Sequence, residues 1–150
     1  MLAMSDASEQ SRDVGCAVVG LGKMGIMHAA MLSAAPGARV TALIDRDAAL
    51  CRHVRSMGVD APHFTDLAQC IDEVSPDGVW IATPQDTHRP LMELCLERGA
   101  PVFCEKPLAH TLDEARAMVE TARRHPGLPV AVGYMLAHHP LFAQAARMID

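Results

Sequence analysis

Residues 104–107 read CEKP and close the apolar run Pro101-Val102-Phe103. An ammonium held where a core strand ends can sit beside a substrate hydroxyl and stabilise the alkoxide that develops as hydride leaves. On that reading Lys106 is the catalytic residue and Pro107 seals its turn. Glu105 then orients a coenzyme ribose or amide, or pairs with the lysine. A lone Glu-Lys pair is more commonly a solvated ion pair beside a turn, so the dipeptide gains meaning only in company.

Two further stretches supply that company. Gly20-Leu21-Gly22-Lys23-Met24-Gly25 fits G-x-G-x-x-G between a strand and a helix, the context that gives the pattern its force. Its glycines allow a tight turn, close backbone approach to a pyrophosphate and close helix–strand packing. The phosphates would lie at the helix N-terminus, where free N–H groups and the dipole favour an anion. Asp45 ends the next strand, 20 residues past Gly25. Its carboxylate can accept both ribose hydroxyls of an adenosine half and repels a 2′-phosphate, which favours NAD over NADP. The plainer reading of Asp45 is an N-cap for the following helix. Arg46 pulls toward NADP, since a guanidinium can stack on adenine or pair with that phosphate. Thr83-Pro84-Gln85-Asp86-Thr87-His88 follows a later strand, at the edge where open α/β sheets bind ligands. Pro84 forces a turn there, Thr87 or Asp86 can cap the helix behind it, and His88 either faces a nicotinamide or caps the helix.

The elements that must position these residues alternate. Cys16–Val19 is a strand leading through the glycine turn to a helix over Met24–Ala34; RVTALI (39–44) is the second strand, before a helix from about Asp47 to Met57. A weak strand at Ala61–Phe64 precedes a short helix capped by Asp66. Val79–Ala82 is followed by a helix from His88 to Arg98 that Gly99 ends. PVFCEKP is the fifth strand, and Thr111 with Glu114 forms a capping box for a helix to Arg124. Pro129–Gly133 is the sixth strand. Wholly apolar strands are buried on both faces, and their alternation with helices calls for an α/β, doubly wound parallel sheet.

Composition agrees with one domain: 150 residues, half of them hydrophobic and 21% charged. The net charge of −5 argues against nucleic-acid or anionic-membrane partners. No apolar run reaches the ~20 residues of a membrane span. The first 13 residues read as a polar tail without a secretory signal. The five cysteines lack metal-binding spacing, and Cys16, Cys95 and Cys104 in apolar stretches read as small core residues of a cytoplasmic protein.

GLGKMG, Asp45, TPQDTH and EKP together resemble the cofactor domain of the glucose–fructose oxidoreductase / inositol dehydrogenase / MocA group of NAD(P)-dependent oxidoreductases, in order and spacing. GYMLAHHP (133–140) is similar to the segment leaving that domain's last strand. The resemblance implies a single Rossmann dinucleotide-binding domain over 14–136. It makes Lys106 the active-site lysine and has Glu105, His88 and the Gly20–Gly25 loop contact the cofactor. Gln85 stands where the family often has Asn, and Ala137 where it often has Arg. The resemblance also implies a second domain that supplies the other catalytic residues and chooses the substrate, a sugar, polyol or related hydroxy compound. Residues 137–150 would then begin the connection to it, and little turnover is expected of this chain alone. His138 and His139, being adjacent, point apart and are not expected to bind metal together; they fit a helix start ahead of Pro140.

Leu141, Phe142, Ala145, Met148 and Ile149 recur near helical spacing and form a stripe that must face something. It could fold back on the sheet or dock another chain, as a homo-oligomer or with a separate partner. Two other readings stay open: a stand-alone nucleotide-binding module working with such a partner, and a glycine turn for another adenosine compound such as S-adenosylmethionine. The latter leaves Lys106 without a use.

Overall fold

The computed structural model describes residues 12–149; most of the expected tail, residues 1–11, lies outside the described residues. The chain alternates as expected: β1 (Val14–Val19), α1 (Lys23–Ala34), β2 (Ala38–Ile44), α2 (Ala48–Ser56), β3 (His63–Phe64), α3 (Leu67–Val74), β4 (Gly78–Ile81), α4 (His88–Glu97), β5 (Val102–Cys104), α5 (Leu112–Arg124), β6 (Val130–Val132) and α6 (Pro140–Ile149). Short 3-10 turns precede α4 (Gln85–Thr87) and α6 (Met135–His138). Punctuation residues act where the sequence puts them. Asp66 accepts from Gln69 N–H, Thr111 and Glu114 form a reciprocal capping box, and Gly99 ends α4 at φ +76°.

The sheet order is β3-β2-β1-β4-β5-β6 and every pairing is parallel. The chain builds outward from β1 to β3, then returns to lay β4 on the other side of β1. That reversal opens a crevice between the C-terminal ends of β1 and β4. Two cores flank the sheet. Val18, Val40 and Leu43 pack with Leu21 and Ala29 near α1 and with Cys51 and Val54 of α2. Ala17, Val19, Ala42 and Ile44 face the opposite layer of Ile71, Met92, Leu96 and Met118. An irregularity in the β1–β2 register opposite Thr41 puts Val40 and Ala42 in different layers.

β6 departs from the expectation that every strand is buried on both faces. Val130 and Val132 are half-buried in a groove with Met118 and Leu128, while Ala131 is exposed. An apolar run carries no mark of whether neighbours flank it, and β6 is the sheet edge. At the chain's end, α6 makes its contacts with the preceding 3-10 turn, and Leu141, Phe142, Met148 and Ile149 are exposed. No described helix is long and apolar enough to cross a membrane.

Candidate functional site

Parallel strands put their C-terminal ends on one rim, and there the ladder continues into the loops. Gly20 N–H donates to Ile44 C=O at 2.8 Å, Ala82 N–H to Val19 C=O at 2.9 Å, Glu105 N–H to Ile81 C=O at 2.9 Å and Gly133 N–H to Cys104 C=O at 2.9 Å. The glycine turn, TPQDTH and EKP are therefore stitched side by side by backbone.

Each glycine of the turn has a distinct steric reason. Gly20 has φ +85°, and a Cβ on it would stand 2.6 Å from Thr83 Cγ2. A Cβ on Gly25 would stand 1.8 Å from Gly20 C=O, so only glycine lets α1 press onto the turn. Gly22 has nothing within 4 Å of its Cβ position; it is the N-cap of α1 and provides no side-chain cap. The first N–H groups of α1, from Lys23 onward, thus start at an open surface, with Lys23 exposed and Met24 half-buried. A bare helix start facing open space suits an anion.

Asp45 is half-buried at the end of β2. Its Oδ2 accepts from Leu21 N–H at 2.7 Å and its Oδ1 from Asp47 N–H at 2.9 Å. The α2 cap is Asp47, which accepts from Ala49 N–H at 2.8 Å. Asp45 is therefore no helix cap: it braces the glycine turn, with lone pairs left for further donors. Arg46 beside it is exposed.

Thr83 and Thr87 hydroxyls lie 2.6 Å apart, and Thr87 Oγ1 also lies 2.6 Å from Pro84 C=O. This turns Thr87 inward, and α4 begins without a side-chain cap. Pro84 and Asp86 are exposed and Gln85 is half-buried. His88 does not face the cleft. It is 2% exposed, with Nε2 3.0 Å from Thr83 C=O and Nδ1 3.3 Å from Leu108 C=O. Both alternatives read from the sequence give way to a third, a buried ring lodged beneath two loops, whose neutral form donates to one of the two carbonyls.

Glu105 is buried and Lys106 exposed, with the Lys106–Pro107 peptide cis and Pro107 exposed. The Glu105 carboxylate accepts from Lys106 N–H at 2.9 Å through Oε2, and Oε1 meets His28 Nε2 at 2.7 Å. His28, on α1, was not singled out by the sequence. Its signal was a titratable residue three positions past Gly25 and next to buried Ala29, on the helix the glycine turn opens. Tyr134 Oη accepts from Leu108 N–H at 3.4 Å, so Leu108 is gripped at both backbone groups. All five cysteines are buried. Burial pushes the thiols of Cys95 and Cys104 up to about 12, so neither is a nucleophile at neutral pH. His139 accepts from Leu141 N–H at 3.3 Å and so sits at the start of α6.

A sequence model described as an oxidoreductase family with an NAD-binding Rossmann fold matches residues 14–134. The scyllo-inositol 2-dehydrogenase (NAD(+)) of Bacillus subtilis (strain 168) is 33% identical over 139 residues, which span 91% of this chain and 40% of that protein. The inositol 2-dehydrogenase of Rubrobacter xylanophilus is 39% identical over 131 residues, 87% of this chain and 38% of that one. Among solved structures, GenD2 from gentamicin A biosynthesis in complex with NAD superposes with a TM-score of 0.81 at 29% identity, over 97% of this chain and 41% of its own. The chain thus spans about 40% of the length of the curated relatives it matches. It belongs to the glucose–fructose oxidoreductase / inositol dehydrogenase / MocA family and is an NAD-binding Rossmann domain of that family.

Proposed function

We propose that this domain is the coenzyme half of a dehydrogenase that exchanges hydride between NAD and a hydroxyl-bearing carbon of an inositol-like polyol or sugar. Bound NAD supplies the hydride acceptor; the rim residues orient it and manage charge. The N–H groups that open α1 at Gly22, Lys23 and Met24 take the diphosphate, and Gly20 and Gly25 let the backbone come close enough. Asp45 accepts the adenosine ribose hydroxyls with the lone pairs that Leu21 and Asp47 leave free. Arg46 stacks on the adenine. Thr83, Pro84 and Gln85 line the nicotinamide side, His88 holding that loop from below. Lys106 presents its ammonium to the substrate oxygen and stabilises the alkoxide left when a base on the further polypeptide takes the hydroxyl proton, before hydride passes to NAD.

The observation that carries this reading is the open, uncapped start of α1 beside a carboxylate already anchored to the glycine turn. Further polypeptide supplies the other substrate wall and seats on α6. Met148 at 80% and Ile149 at 86% exposure support that, because apolar side chains this open call for a cover. The cytoplasm suits five buried free thiols. NADH at ~100 times its Kd should stabilise the domain by about 2.7 kcal/mol, a visible rise in melting temperature. A melting temperature unmoved at millimolar NADH would refute the proposal.

A further inference from the structure

We infer that His28 is a positioning residue: by holding the Glu105 carboxylate it keeps that anion off Lys106 and leaves the ammonium free at the rim. What the free ammonium then does rests on the function proposed above; the geometry of the pair does not.

Glu105 is only 7% exposed, and a carboxylate so enclosed must have donors. Two donor groups are placed to take it, the lysine next to it in the chain and an imidazole 77 residues away. The histidine holds it. Oε1 lies 2.7 Å from His28 Nε2 and Oε2 takes the backbone N–H of Lys106, while no ion pair of the Lys106 ammonium is found among the described residues. The imidazole is itself fixed, edge-on to Phe103 with ring centroids 5.2 Å apart, and Phe103 stacks on Trp80 at 6.0 Å. Gly133 closes the other side, where a Cβ would stand 3.2 Å from Glu105 Oε2. An Nε2–H donates to Oε1 whether the ring is neutral in that tautomer or protonated, so the arrangement does not depend on ring charge. Without the imidazole, the replacement donor within reach of a flexible chain is the Lys106 ammonium, which would fold back onto its neighbour.

The chain has two lysines, Lys23 and Lys106, so amine reactivity reports directly. The full chain is treated with a limiting amine-acetylating reagent at fixed pH, and peptide mass spectrometry gives the Lys106-to-Lys23 labelling ratio. His28→Leu is expected to lower that ratio about fivefold, as a partly screened ion pair withdraws the amine. Adding Glu105→Gln to His28→Leu should restore it. Glu105→Gln alone should leave the ratio within about twofold of wild type, because the carboxylate is not on the lysine to begin with. An unchanged ratio in His28→Leu, or no rescue by the second substitution, overturns the inference. So does a marked rise in Glu105→Gln alone, and that arm holds even if His28→Leu does not fold. None of these arms uses coenzyme, so failure of NADH binding would count against the proposed function and leave the labelling pattern to be judged by itself.

Discussion

The glycine turn and the lysine turn share one rim and are held in opposite ways. At the first, geometry comes from missing side chains: Gly25 admits the Gly20 carbonyl, and Gly22 leaves open space. At the second it comes from side chains reaching in from elsewhere, His28 to Glu105, His88 and Tyr134 to Leu108. A site built from backbone fails sharply when an atom is added, whereas one built from clamps weakens by degrees as each is removed.

The sharpest test of that contrast is a pair of substitutions within one turn. Gly25→Ala forces a methyl to 1.8 Å from Gly20 C=O and should cost about 3 kcal/mol or more in urea unfolding. Gly22→Ala meets nothing within 4 Å, so its stability should stay within about 1 kcal/mol of wild type, while the methyl occupies the space assigned to the diphosphate and NADH affinity collapses. Equal destabilisation by both would mean the turn is merely packed, not shaped. A smaller effect probes a side chain that braces the glycine side. Asp45→Asn keeps an acceptor for Leu21 N–H but removes the charge, and should shift the NADP-to-NAD affinity ratio about tenfold toward NADP, or ~1.4 kcal/mol. An unmoved ratio in calorimetric titration would leave Asp45 a brace alone.

An effect that is small per residue lies beneath the lysine side. Burial holds the Cys95 and Cys104 thiols up to about 12 in the folded chain, against 9.0 unperturbed. The unfolded chain therefore loses these protons first as pH rises. The stability that depends on them is fully present below about 9 and drains away between 9 and 12. Unfolding free energy should fall by ~1 kcal/mol per thiol from pH 8 to pH 10, and a thiol reagent at pH 8 should label them only after denaturant is added. Rapid labelling of the native chain at pH 8 would show that the floor under the lysine turn opens.

The fold was legible because its signals are local. Asp66, Gly99 and Thr111 cap or stop helices by hydrogen bonds and φ angles spanning a few residues. The rim was legible because parallel strands must bring their ends together once the alternation is recognised. The His28–Glu105 pair was not, since 77 residues of chain separate the partners and neither carries a mark of the other. His88 departs from both expected orientations for a related reason: its position beside the cleft is set by sequence, but its direction is set by packing against two loops, one of them 20 residues later. The half-open β6 shows the same limit, as Val130–Val132 reads like any inner strand until its neighbours are counted.

The scarcity of lysine has a practical corollary. With Lys23 and Lys106 both on the C-terminal rim of the sheet and the remaining basic side chains arginine or histidine, coupling through side-chain amines to an activated biosensor chip, with the N-terminal amine blocked, would tether the molecule rim-down. It would then look inert toward NADH for reasons of orientation, whereas a maleimide or amine-free capture chemistry would have to find another handle, the thiols being enclosed.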